Sequence, residues 1–116
     1  MAEDSGTMRT ILRRALKSAG VTDVVEAENG AEAIDFFEEG KFDLVMADWN
    51  MPQKSGLDVA RHIRSLDAKV PILMVTTEAE RHRVVEAVQA GVSDYLIKPF
   101  TTEALQQKLN RFAVRT

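Results

Sequence analysis

The 116-residue chain has no cysteine, which excludes disulfides, thiolate metal sites and cysteine nucleophiles together. Its two histidines, His62 and His82, are too few for a histidine-rich metal centre. An excess of one charge is also lacking. Fifteen basic residues against eighteen acidic ones leave a net charge of −3, so no overall field calls for nucleic acid or an anionic lipid surface. Apolar runs stop at about six residues, far short of a bilayer span. No basic-then-apolar leader opens the chain. Only three prolines and no low-complexity tract interrupt it, and a hydrophobic fraction of 45% excludes general disorder. The expectation is one soluble, cytoplasmic domain over residues 1–116.

What is present is an alternation of two periods. Helical spacing over Thr7 to Ala19 puts Met8, Ile11, Leu12, Ala15 and Leu16 on one stripe, with Arg9, Arg13, Arg14 and Lys17 on the solvated side. Asp4 or Ser5 caps this helix and Gly20 stops it. A short strand is expected around Asp23 to Ala27, then a helix from Ala31 to Glu38. The run Phe42 to Ala47 reads as a buried strand, as do Pro71 to Val75 and Asp94 to Ile97. Helices over Leu57–Ser65, Glu80–Ala90 and Thr102–Phe112 lie between and after them, the middle one turning Val84, Val85 and Val88 inward. Such alternation implies right-handed crossovers, a parallel sheet and helices on both faces: an α/β fold.

Parallel strands all end on one edge, where ligands bind. Asp48 ends one buried strand, Thr76 the next and Lys98 the last, while Glu3 and Asp4 stand just before the first helix. Singly, each reads as a cap, a turn former or an exposed charge. Jointly, three carboxylates, a hydroxyl and an amine converge on one edge. Crowded carboxylates repel unless they bind a cation. Hard oxygen donors select Mg²⁺, or Mn²⁺, over zinc. A lysine and a hydroxyl beside such a cation suit a phosphoryl group, and Asp48 can serve as its nucleophile.

Glu3-Asp4, DWNMP at 48–52 with Gly56, MVTTEAE at 74–80 and AGVSDYLIKPF at 90–100 together resemble the receiver domain of two-component response regulators, most of all its stand-alone chemotaxis branch. The likeness runs from Glu3 to about Phe112 and implies a flavodoxin-like sheet of order 2-1-3-4-5. It further implies that Asp48 accepts a phosphoryl group from a histidine kinase, so that the chain catalyses its own phosphorylation and dephosphorylation without being an enzyme in the usual sense. Mg²⁺ is then held by Glu3, Asp4, Asp48 and the backbone carbonyl of Asn50. Lys98 pairs with the phosphoryl oxygens, and its bond to Pro99 is expected to be cis. Thr76 and Tyr95 form the switch, Asn50 and Glu78 tune turnover, and the target, of flagellar-motor-switch type, docks on the Glu80–Phe112 face.

The sequence departs from that family at its start, where only Met1-Ala2 precede the acidic pair in place of a central apolar strand. Three explanations stay open: a start inside the natural strand, a homo-oligomer or swapped dimer that covers the gap, or a rearranged sheet order. A receiver-like binding module unable to phosphorylate, and a receiver trimmed from a larger regulator, are the alternative functions. A phosphatase with an Asp nucleophile is disfavoured because Asn50 stands where its second Asp belongs.

Overall fold

A computed structural model describes residues 1–3, 5–21, 24–40, 42–49, 54–77, 84–98 and 100–111. Eight elements follow in chain order: α1 (Gly6–Ser18), α2 (Gly30–Glu39), β1 (Val45–Asp48), α3 (Gly56–Leu66), β2 (Ile72–Thr77), α4 (Val84–Gln89), β3 (Asp94–Lys98) and α5 (Thr102–Arg111). Local chemistry sets their ends. Ser5 caps α1 by accepting from the Met8 N–H, Asn29 caps α2 from Glu32, and Ser55 with Asp58 forms a reciprocal capping box on α3. Thr101 does the same for α5 through the Ala104 N–H. Gly20 and Gly91, at φ +91 and +95, carry the chain out of α1 and α4 in the left-handed region that side chains avoid.

The three strands form a parallel sheet in the order β1-β2-β3, with Asp48 level with Val75, and Val75 level with Leu96. Alternation along the strands feeds two cores. Met46, Leu73, Val75 and Leu96 pack against Leu12 and Leu16 of α1 and Leu105 and Leu109 of α5. Val45, Ile72 and Met74 pack on the other face with Val59 and Ile63 of α3 and Ala87 of α4. Each large aliphatic chain so enclosed contributes roughly 2 kcal/mol. This is the expected α/β, flavodoxin-like layering.

The first strand is where the structure differs from expectation. Ala2 bridges both Ala27 and Ala47 in the parallel sense. Its N–H donates to the Met46 carbonyl at 2.8 Å and its carbonyl accepts from the Asp48 N–H at 3.0 Å. On the other side Glu3 N–H donates to Ala27, and Ala27 N–H donates to Met1. Met1–Glu3 thus occupy the central position, in the order 24–27, 1–3, β1, β2, β3. The rearranged order is not what the described residues adopt. The 24–27 segment makes a single bridge at Ala27 rather than the expected strand.

The valines of α4 are a second correction. Val85 and Val88 are 67% and 64% exposed, while Ala87 and Ala90 face the core. The alanine side of the helix is the one enclosed, and the more apolar stripe is left outside. The Val84 side chain, like Asp4, Asn50, Glu78, Glu80, His82, Phe112 and the Lys98–Pro99 bond, lies outside what is described.

Candidate functional site

The carboxyl edge of the sheet collects the charges. Asp48 ends β1 buried, at 7% exposure, and Glu3 is buried at 2% on the segment beside it. Two buried carboxylates need a cation or strong donors. Lys98 supplies one, its Nζ lying 2.6 Å from Asp48 Oδ2 and 3.7 Å from Glu3 Oε1. The parallel register explains the reach. Lys98 pairs with Thr77, two residues beyond the level of Asp48 and on the same face, so its long stem runs back across β2 to the acid.

Each acid is aimed by backbone rather than by side-chain packing alone. Asp48 is fixed by its bond to Ala2 and by the next residue, whose N–H donates to Val75. Gly56 N–H donates back to the Trp49 carbonyl at 2.9 Å. A Cβ on Gly56 would overlap the Asp48 carbonyl and meet Met74 Sδ at 2.7 Å, so a glycine is what lets α3 start against this strand end. Glu3 is held through Ala2 and by Arg9, whose Nη1 donates to the Glu3 carbonyl at 2.8 Å. Arg9 also approaches Glu26 at 3.9 Å and Glu28 at 3.7 Å.

Arg9 is therefore the residue that sequence reasoning missed. Its helical spacing put it on the solvated side of α1, but it is half-buried against the acidic segment. The available signal was its place a turn and a half after Glu3, close enough to fold back over it.

Thr76 follows Asp48's level by one residue on the neighbouring strand and is 1% exposed. Tyr95 lies half-buried on β3, with Lys108 Nζ 5.3 Å from its ring centre. Trp49, beside Asp48, packs into the core with Leu57 and Val59. Asp48, Glu3 and Lys98 are thus brought together as expected, with Thr76 at the same edge. Asp4 and Asn50 lie outside the described residues. Among those described, no three His, Asp or Glu side chains form a metal-holding group. The two buried carboxylates present are hard oxygen donors that fit Mg²⁺ or Mn²⁺ and not a thiophilic metal.

Comparison with known proteins bears on the whole of this arrangement. The family model described as response regulator receiver domain matches residues 1–110. The chain is 39% identical over 117 residues to the chemotaxis protein CheY of Pseudomonas aeruginosa, covering 99% of this chain and 94% of that protein. It is likewise 39% identical to the chemotaxis protein CheY-3 of Vibrio cholerae, covering 90% of that protein. Among solved structures, Vibrio cholerae CheY4 superposes with a TM-score of 0.87 at 32% identity, over 96% of this chain and 93% of that one. The receiver domain of a Pseudomonas aeruginosa sensor histidine kinase, with a magnesium ion coordinated in its active-site cleft, gives 0.86 at 31% identity over 96% and 92%.

Proposed function

The chain belongs to the response regulator receiver domain family, and from that premise we propose that it is a chemotaxis-type signalling switch that takes a phosphoryl group onto Asp48. The observation that carries this reading is the Lys98–Asp48 contact at 2.6 Å with Glu3 beside it.

In the reaction, a carboxylate oxygen of Asp48 attacks the phosphorus of a phosphohistidine on a partner kinase. The bond between phosphorus and imidazole nitrogen breaks, and the imidazole keeps the electron pair. The Lys98 ammonium moves from the bare carboxylate to the phosphoryl oxygens and offsets their charge. Glu3, Asp4, Asp48 and the Asn50 carbonyl would hold Mg²⁺, or Mn²⁺, which when bound would supply further charge neutralisation. Water later cleaves the acyl phosphate and releases inorganic phosphate, so the chain turns over only its own modification.

The output is a population shift. Thr76 turns its hydroxyl to a phosphoryl oxygen, Tyr95 moves inward behind it, and Asn50 and Glu78 tune the lifetime. The face built from α4, β3 and α5 then changes affinity for a target such as a flagellar motor switch. The setting is cytoplasmic, with neither nucleic acid nor membrane as partner. No helix among the described residues is long and apolar enough to cross a membrane.

The test is incubation with a radiolabelled small phosphodonor and Mg²⁺. Wild-type chain incorporates acid-stable, hydroxylamine-labile label, and Asp48→Asn does not. Undiminished label in Asp48→Asn overturns the assignment. No label in the wild type leaves a receiver-like binding module as the better reading.

A further inference from the structure

Among the described strands β3 lies at the edge of the sheet, and Tyr95 sits on it half-buried, at the margin of the core that Met74 and Ala87 share. Tyr95 is level with Met74 on β2, and Thr76 lies two residues further along that same face. A ring that turns inward behind Thr76 therefore has a short path along one face. A restraint on it reaches round the edge from the other face.

Asp94, one residue earlier, points to the α5 side by strand alternation. Its side chain is 8% exposed. Its Oδ1 accepts from the Tyr95 N–H at 2.7 Å, which fixes the acid on its own strand. Leu105 and Leu109 fasten α5 to the sheet, and Lys108 and Arg111, one turn apart, come out beside Asp94. Lys108 Nζ lies 3.1 and 3.2 Å from the two carboxylate oxygens. Such charge-assisted bonds order a long stem that is otherwise free to move.

The same ammonium stands 5.3 Å from the centre of the Tyr95 ring. At that distance a cation is attracted to an aromatic ring. The contacts close a circuit. The Tyr95 N–H fixes Asp94, Asp94 fixes Lys108, and Lys108 holds the Tyr95 ring. An inward turn breaks the last contact and leaves the first two intact.

We propose that Lys108 is a positioning residue of the switch: its ammonium, fixed by Asp94, holds the Tyr95 ring at the edge of β3 and opposes the inward turn. This role rests on the reading that the ring moves inward when Asp48 is phosphorylated. Asp94 lies two strands across and two residues back from the level of Asp48, so Lys108 acts through the ring and not on the phosphoryl group. Replacing Lys108 does not strand a buried acid, because Asp94 keeps Arg111 and the Tyr95 N–H.

Tyr95 is the only tyrosine, so meta-fluorotyrosine gives a fluorine resonance that reports this ring alone. The probe is beryllium fluoride, a mimic of the phosphoryl group, titrated at saturating Mg²⁺. In the wild-type chain the resonance should move and saturate. In Lys108→Met it should reach the same end position with a midpoint about two- to fivefold lower, the factor that one cation–ring contact carries. Lys108→Gln should show the same gain and serves where the methionine variant fails to fold. Lys108→Arg keeps a cation over the ring and should restore the wild-type midpoint. Arg111→Met removes the other cation from Asp94 and should leave the midpoint unchanged. Mg²⁺ affinity alone, read at Trp49, should be the same in every chain. Equal midpoints in the wild type and the lysine-loss variants, an equal gain in Arg111→Met, or no restoration by Lys108→Arg would each overturn the proposal. Failure of the underlying reading looks different: the wild-type resonance then stays still at saturating mimic, which refutes the inward turn and the role of Lys108 with it.

Discussion

Lys98 and Arg9 do opposite work on the same acids. Lys98 faces their carboxylates and competes with any cation brought to them, since its ammonium lies 2.6 Å from Asp48 and 3.7 Å from Glu3. Arg9 donates to the Glu3 backbone carbonyl, and so shapes the segment that carries this acid. Removing Lys98 leaves the buried carboxylates without that ammonium, and a divalent ion becomes more favourable there. Lys98→Met should therefore bind Mg²⁺ more tightly while losing most phosphoryl incorporation. A Trp49 fluorescence titration and label transfer measure the two halves. Arg9→Ala should weaken Mg²⁺ by about tenfold, the usual cost of losing a residue that orients a ligand-bearing segment. Arg13→Ala is the control. It removes an exposed partner of Glu26 at 2.9 Å and leaves the Glu3 carbonyl bonded, so the titration should not move.

At the scale of elements, the informative contrast is between β1, which the sequence made plain, and the segments beside it. Continuous apolar runs ending in Asp48, Thr76 and Lys98 announced a parallel sheet with its chemistry at one edge, because side chains buried on both faces leave no other pattern. The three residues Met1–Glu3 carried no such signal. Their place comes from backbone bonds to Ala27, Met46 and Asp48, which no periodicity records. Arg9 was misread for a related reason: helical spacing tells which face a residue is on, not what another segment lays over that face. In α4 the spacing identified an apolar valine stripe but not that alanines would be chosen for contact. Val85→Glu with Val88→Glu should accordingly change stability by no more than about 0.5 kcal/mol per site. Ala87→Leu should cost about 1–3 kcal/mol by overpacking against the sheet. Urea denaturation followed by circular dichroism separates the two, and a large loss in the valine pair would mean that α4 sits the other way round.

For the molecule as a whole, the buried α-amino group of Met1 ties stability to pH through the centre of the sheet. Its pKa falls from 8.0 to about 6 on folding, mainly because burial disfavours the charged form. The unfolded chain therefore holds more protons on this group between those values, and stability rises with pH across that window. Below pH 6 the full difference acts against folding, at most about 2–3 kcal/mol. Above pH 8 the amine is neutral in both states and the effect is gone. Urea melts at intervals from pH 5.5 to 8.5 should show this upward slope, and a chain acetylated at Met1 should lose that part of it. Asp67 acts at the far acidic end in the opposite sense of charge. Its carboxylate accepts from the Lys69 and Val70 N–H groups at 2.8 and 3.1 Å, which holds its pKa below the usual carboxylate value. That contribution is present above the ordinary carboxylate pKa and disappears as pH falls through the lowered one. The two groups therefore leave separate marks on one stability curve, a rise between pH 6 and 8 and a loss that begins as pH falls below the ordinary carboxylate pKa. A curve flat from 6 to 8 in the unmodified chain would mean that the Met1 amine is hydrated.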